Sequence, residues 1–530
     1  MMRFLDPDTV KELTESDQEY ALLDVREEGA FSENRLLFAS CLAMSRLELR
    51  APRLVPNKNA FIVLMDGAGE GLAEQAHAKL TDLGYQNISI LKGGVQAWSD
   101  AGHSTYSGVN VLSKAFGEIV YEHSGTPDIT PEILKAWMDE GRKMVVLDSR
   151  PFDEYHHHTI PTSVSVPGAE LAFRSHELAP DADTAIVVNC AGRTRSIIGC
   201  QSLINAGLPN DVYCLKNGTM GWKLAGYDLE TGQTRRISEL SPETRLRAKE
   251  CTRRVADRFG VRFIQKGELA ELRQKEDRTV YCLDVRGPEE FAQGHLPDTD
   301  NAPGGQLVQA TDDYIAVRNA AIVLIDPETI RAVMTASWLL QLGLENVFVL
   351  EDVRPQDLTA KSSTELNHLV DENAVVSAEV LADKMKGDRA VLLLDVAVSV
   401  AHKTEHIPGA AWAVRGRYDA IKSDMKRHDE VVVTGDDPAL VAYVLDDLSG
   451  DSSVPVYALK GGNDAWRNAG YPMASGFAKR YSECDDVWYK PFEYDDPDQE
   501  RAAANKYLTW EVNLVEKIKQ DGITFKVPAS

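Results

Sequence analysis

The sequence predicts an α/β protein of four tandem domains, each a mainly parallel sheet with helices on both faces, followed by a C-terminal tail. Three observations predict it. An apolar strand pattern ending in Asp occurs four times: "ALLDVRE" at Asp24, "VVLDSRP" at Asp148, "YCLDVRG" at Asp284 and "LLLDVAV" at Asp395. A second strand then runs into a sharp turn and a helix: "IVLMDGAGEG", "IVVNCAGRTR", "IVLIDPETIR" and "VVVTGDDPAL". Its matching positions, Asp66, Cys190, Asp326 and Gly435, lie 42, 42, 42 and 40 residues beyond the first signature. A third strand follows 24 or 25 residues later, at Leu91, Leu215, Leu350 and Leu459. Four such registers define an internal repeat.

Within each repeat, short β-branched strands alternate with helical patterns. After Cys190, the residues Ile197, Ile198, Leu203 and Ile204 fall at near-helical spacing, and Gly207 is a stop signal. Strand, helix, strand at this rhythm implies βαβ units and a parallel sheet covered on both faces. The repeats are placed at 1–107, 124–232, 259–358 and 372–478, with an acidic, aromatic tail and a helix over 479–530. Polar helical stretches join them: "NVLSKAFGEIVYEHSGTPDIT", "RRISELSPETRLRAKECTRRVADRFG" and "TAKSSTELNHLVDENAV". The aromatic density of the tail predicts docking onto the body.

Composition narrows the function. The 530 residues carry 57 Lys plus Arg against 82 Asp plus Glu, a formal net charge of -25. So acidic a chain is a poor general binder of nucleic acid or anionic membrane. Two neighbouring arginines in it are a local device. No apolar run approaches a membrane span, and no signal peptide is read at the N-terminus. The seven cysteines are sparse and irregularly spaced, which fits free thiols in a reducing cytoplasm.

The place that carries chemistry is "CAGRTR", Cys190 to Arg195. Ligands of parallel sheets sit at the carboxyl ends of strands, where Cys190 falls. A tight loop feeding a helix N-terminus aims several amides at one spot, so anions bind there. Cys190 in that field, beside Arg193 and Arg195, is a nucleophile that faces an anionic reactant. Gly192 is read as the source of backbone freedom for the turn.

The "LDSRPFDEY…IP" segment, the strand leading into the cysteine loop, and "LKNGTMGW…AGY" together resemble a rhodanese domain, and the other three copies resemble it too, over about 1–478. The resemblance implies a sulfurtransferase whose loop cysteine takes a sulfane sulfur, becomes a persulfide and passes the sulfur to a nucleophile. Carried over residue by residue, Cys190 is the nucleophile. Arg193 and Arg195 bind the anionic donor. The amides of Ala191, Gly192, Arg193, Thr194 and Arg195 stabilise the outer sulfur. Four residues separate Cys190 from Arg195, where the related phosphatases have five, which favours sulfur transfer over phosphate chemistry. The two arginines suit a dianion such as thiosulfate. The alternatives are 3-mercaptopyruvate as donor, or a sulfur-carrier or scaffold built on degenerate repeats. No metal or organic cofactor is implied, and the partners are a small anionic donor and a thiol, protein or cyanide acceptor.

The remaining signals read as structure. Cys200 and Cys214 lie in helix and strand patterns and are expected to be buried. Asp148, Arg150 and Glu154 recur as Asp284, Arg286 and Glu290 in a cysteine-less copy, so the trio reads as a salt-bridged strand end. Arg331 matches Arg195 there, so an arginine at this position also serves the loop. The adjacent His156, His157 and His158 are not expected to converge on a metal. Thr159 stands where the third and fourth copies have His295 and His406. Asp66, Asp326 and Gly435 replace the cysteine elsewhere, and the acidic loops of those copies are expected to repel an anion.

Overall fold

The structure, a computed structural model, describes residues 2–237, 239–361, 370–450 and 454–528. It contains four sheets. The second consists of Asp128–Ile129, Val212–Leu215, Ala185–Asn189, Met144–Asp148 and Val164–Ser165, in that spatial order and all parallel. The third and fourth repeat this order with their own strands. The central strand Ala185–Asn189 is buried along its whole length, because helices cover both faces. That is why "AIVV" reads as a continuous apolar run with no alternation.

The first sheet differs by one addition. Val317–Arg318, from the third domain, pairs antiparallel with Tyr20–Asp24 and extends the first sheet across the domain boundary. The apolar interior is continuous as well: Ile62, Val188 and Leu324, from the central strands of the first three domains, belong to one packed cluster. The fourth domain has two clusters of its own, one on each face of its sheet. It is tied to the first domain by Arg415, whose guanidinium reaches Glu48 at 2.7 Å and Asp447 at 2.8 Å. The second and third domains meet where two glycines approach, and a Cβ on Gly305 would lie 3.0 Å from the Gly168 Cα.

Two of the polar linkers are helices, Val111–Ser124 and Pro242–Phe259. The second starts at a Ser241 cap that accepts from the Thr244 amide at 3.2 Å, with Pro242 in the first turn. In the third linker, residues 362–369 lie outside the described residues. The tail packs on the body. Its helix Pro497–Gln520, capped by Asp496, runs along Val111–Ser124. Leu514 and Ile518 bury against Val111 and Ala115, and Trp510 Nε1 donates to the Ser107 carbonyl at 3.0 Å. Among the described residues, no helix is long and apolar enough to cross a membrane.

Candidate active site

Cys190 follows the last residue of the strand Ala185–Asn189 and is 2% exposed. The chain turns through Ala191, Gly192 and Arg193 into the helix Thr194–Asn205. Cys190 Sγ lies 3.4 Å from Ser196 Oγ, which donates in turn to the Arg193 carbonyl at 2.9 Å. The loop's carbonyls point the other way, toward the next helix. Thr219 N donates to Cys190 O at 2.8 Å and Met220 N to Ala191 O at 3.0 Å. This approach demands glycine at 218, where φ is +54° and a Cβ would sit 2.1 Å from the Cys190 oxygen.

The carbonyls of Cys190 and Ala191 are so engaged. No acceptor among the described residues bonds the amides of Ala191 to Arg195. The cysteine-less copies are different. Asp66 accepts from the amides of Gly69 at 2.7 Å and of Leu72 and Ala73 at 3.2 Å. Asp326 accepts from the amides of Glu328 at 3.2 Å and Arg331 at 2.8 Å. In the fourth domain Asp437 accepts from the amides of Ala439 and Leu440. The sequence reading had these acids repelling an anion across the loop. In the structure a carboxylate of the chain accepts from the loop amides in each of these copies.

The two arginines are placed differently from one another. Arg193 points into the body and forks onto Glu118 of the first linker helix, with a third bond to Asn217 Oδ1 at 3.2 Å. Arg195 forks onto Glu154 at 2.8 and 2.9 Å and also reaches Gln306 of the third domain at 3.2 Å. Burial works to raise the Glu154 carboxyl, but Arg195 beside it overrides this and holds it at about 2. The trio expected at the strand end is therefore split. Asp148 and Arg150 pair with each other at 2.8 Å, and Glu154 belongs to Arg195. The third domain repeats the split, with Asp284 on Arg286 and Glu290 on Arg331.

Thr159 donates to Asp148 Oδ2 at 2.7 Å. His156 bonds the Gln233 carbonyl, while the rings of His157 and His158 meet edge to face at 5.2 Å and His158 also packs on Phe492 and lies 3.2 Å from Arg150 Nη1. Burial, with Arg150 and His157 alongside, brings His158 down to about 3. Cys200 and Cys214 are buried.

Gly192 corrects the sequence reading. Its φ is outside the left-handed region, so the turn does not need glycine for backbone freedom. What needs it is the tail: a Cβ there would meet Tyr507 Cε1 at 3.2 Å and Glu511 Oε2 at 3.5 Å. Glu511 is fully buried, and its Oε1 accepts from Thr194 Oγ1 at 2.5 Å. Lys114 Nζ lies 3.8 Å from the same oxygen. Beside this contact, Met220, Ala504 and Leu508 form a small apolar cluster. Glu118, Gln306, Tyr507 and Glu511 were not found by sequence reasoning. Only the aromatic density of the tail hinted at two of them.

The loop opens on a cleft of about 980 Å³ walled by all four domains and the tail, with Ala191, Arg195, Gln306, Lys403, Phe492 and Tyr507 among its lining residues.

Comparison with known proteins gives three findings. The Rhodanese-like domain family matches residues 6–101, 130–225 and 266–352. A crystal structure of thiosulfate sulfurtransferase from Pseudomonas aeruginosa is 41% identical, covers 98% of this chain and 98% of its own, and superimposes with a TM-score of 0.86. The HTH-type transcriptional regulator Rv0324 of Mycobacterium tuberculosis is 33% identical over 93 residues, which span 18% of this chain and 40% of the regulator.

Proposed function

The chain belongs to the rhodanese family, and from that premise we propose that it is a sulfurtransferase moving a sulfane sulfur from thiosulfate, through a persulfide on Cys190, to a nucleophilic acceptor such as cyanide or a thiol. The observation that carries this reading is the contrast among the four loops. Those of the first, third and fourth domains place a carboxylate of the chain on their amides, and that of the second carries a cysteine and has no such carboxylate on its amides among the described residues.

In the first half-reaction the Cys190 thiolate attacks the outer sulfur of thiosulfate. The new S–S bond forms as the donor's S–S bond breaks, and the electron pair leaves on sulfite. The amides of Ala191 to Arg195 stabilise the charge on the outer sulfur of the persulfide. In the second half-reaction the acceptor attacks that sulfur and the Cys190 thiolate departs. Both are two-electron displacements at sulfur, so no redox cofactor is called for. Arg195, on the cleft wall, steers the anion, while Arg193, held by Glu118, fixes the loop. The three cysteine-less domains shape the cleft and carry no sulfur. A reducing cytoplasm suits a chain whose seven cysteines are all free.

A second reading, 3-mercaptopyruvate as donor, is favoured by one observation: both arginine forks are already neutralised by carboxylates, which weakens selection for a dianion. Steady-state transfer from the two donors, measured side by side with intact-mass detection of one added sulfur on Cys190, decides between them. Failure of both donors to load Cys190 would overturn the proposal.

A further inference from the structure

The cleft has to admit an anion into a chain of net charge -25. Positive charge that the chain's own acids have not already neutralised therefore decides what it binds. Five lysines and arginines line it: Lys114, Arg150, Arg195, Lys403 and Lys490. Four of them are engaged. Arg150 pairs with Asp148 at 2.8 Å and Arg195 with Glu154 at 2.8 Å. Lys403 pairs with Asp495 at 2.8 Å and donates to the Glu493 carbonyl at 3.1 Å. Lys114 donates to Gln309 Oε1 at 3.2 Å and stands 3.8 Å from buried Glu511. Lys490 makes no ion pair among the described residues, and it is exposed.

The tail holds Lys490 at the cleft. Its backbone amide donates to Glu493 Oε2 at 2.5 Å, Pro491 is buried, and the Phe492 ring packs on His158 at 4.5 Å between centroids. Trp488, two residues earlier, packs on Tyr507. Trp488, Pro491 and Phe492 line the cleft as well, so this segment is one of its walls. The backbone is anchored while the four-carbon stem is free to turn, which suits a point charge that follows an entering anion. The charge of Lys490 is felt on two other walls. Glu154, which burial alone would raise, is held down by Arg195 and further by Lys490. Burial and Asp313 push Glu28 of the first domain up to about 7, and Arg50 and Lys490 oppose them. Glu154 is bonded to Arg195 of the cysteine loop, so Lys490 and the loop act on the same end of the cleft.

We propose that Lys490 is a donor-binding residue, whose ammonium pairs with the sulfonate oxygens of thiosulfate in the cleft and concentrates the dianion before Cys190 attacks. The inference rests on the sulfurtransferase reading given above. Arg195 can offer the donor only the charge that Glu154 leaves it, whereas Lys490 gives up no carboxylate to do so. Because the residue lies outside the four repeats, the catalytic domain draws part of its donor affinity from the tail.

The role predicts a change in binding and none in chemistry. Full-length wild type, Lys490→Gln and Lys490→Arg are loaded in single turnovers over a range of thiosulfate concentrations, and the added sulfur on Cys190 is followed by intact mass. The series is repeated with methanethiosulfonate, a donor of one negative charge. Loss of a contact to a charged group predicts a half-saturating thiosulfate concentration raised about tenfold in K490Q, with the limiting loading rate unchanged. Half the charge halves the Coulomb energy, so methanethiosulfonate should lose about threefold. K490R, which keeps the charge, should stay near wild type with both donors. A half-saturating concentration in K490Q within about twofold of wild type overturns the inference and leaves the function standing. Equal losses for the two donors, or a limiting rate lowered in K490R as well as K490Q, assign Lys490 to packing of the tail and also overturn it. Wild type that gains no sulfur on Cys190 from either donor overturns the function and the inference together.

Discussion

Arg193 and Glu118, 75 positions apart, are joined by two parallel hydrogen bonds, Nε to Oε1 at 2.6 Å and Nη2 to Oε2 at 2.7 Å. Both side chains are nearly buried. The pair fastens the catalytic loop to a helix that lies outside its own domain's sheet. It also decides what the arginine is free to do.

Because the fork of Arg193 is occupied, Arg193→Ala is expected to lower kcat/KM for thiosulfate and for mercaptopyruvate by the same factor. Glu118→Gln, which leaves the arginine without its countercharge, is expected to reproduce that loss and to cost about 3–5 kcal/mol of stability. A loss confined to thiosulfate would place the guanidinium on the donor instead.

Cys190→Ser is expected to abolish transfer, since a hydroxyl is a poor nucleophile toward sulfane sulfur and holds no persulfide. The variant should keep the wild-type melting temperature and gain no sulfur by intact mass. Transfer at the wild-type rate in C190S would move the site elsewhere.

Gly192→Ala is expected to destabilise the protein by about 1–3 kcal/mol through overpacking against Tyr507. If that contact is the cause, G192A combined with Y507A loses less than the sum of the two single losses. Additive losses in thermal unfolding would return the requirement to the backbone of the loop.

An unfolded histidine titrates near 6.5, whereas buried His158 is held at about 3. Between those values the unfolded chain binds the extra proton, so the His158 contribution is complete above about pH 6.5 and is lost as the pH falls. The slope reaches at most about 1.4 kcal/mol per pH unit. Glu154, held at about 2 from an ordinary value of 4.5, adds its own loss as the pH falls from about 4.5 toward 2, overlapping only the lower part of the His158 range. His158→Gln should flatten the stability profile between about pH 4.5 and 6.5, and identical slopes in variant and wild type would reject the assignment.

Arg331 is 2% exposed and touches three carboxylates, Asp326 and Glu290 of its own domain and Glu170 of the second. Arg331→Met leaves Asp326 buried beside no cation, while Glu170 keeps Arg174 and Glu290 is partly exposed, so a stability loss of about 3–5 kcal/mol is expected. Calorimetry is the measurement, and an unchanged melting profile would show that the cluster contributes nothing.

The parts of this structure that were legible in the sequence are local. A strand, its Asp terminus, the turn and the following helix fit within a few tens of residues, so four copies could be aligned by spacing alone and Cys190 placed at a strand end. The Cys190–Arg195 loop was legible for the same reason. What was hidden joins distant residues. Nothing in "FGEIVYEH" marks Glu118 as the partner of Arg193, and nothing near Tyr20 announces a strand from residues 317–318. Gly192 shows how this misleads: a glycine in a turn suggests backbone freedom, and only the docked tail reveals that the missing side chain is what matters. Asp66 and Asp326 were visible as departures from the cysteine. That their carboxylates lie on the amides required coordinates.

Thr194 and Glu511 are separated by 317 residues, and that distance is also a time. At about 5–20 residues per second, a ribosome takes roughly 16–60 s to pass from one to the other. During that interval the cysteine loop has been made and the helix that closes over it has not. Sulfur chemistry on a growing chain would expose a reactive persulfide to every thiol nearby. A site whose last wall is synthesised so long after its loop delays full competence until that helix has emerged, and the order of translation becomes a safeguard on the chemistry.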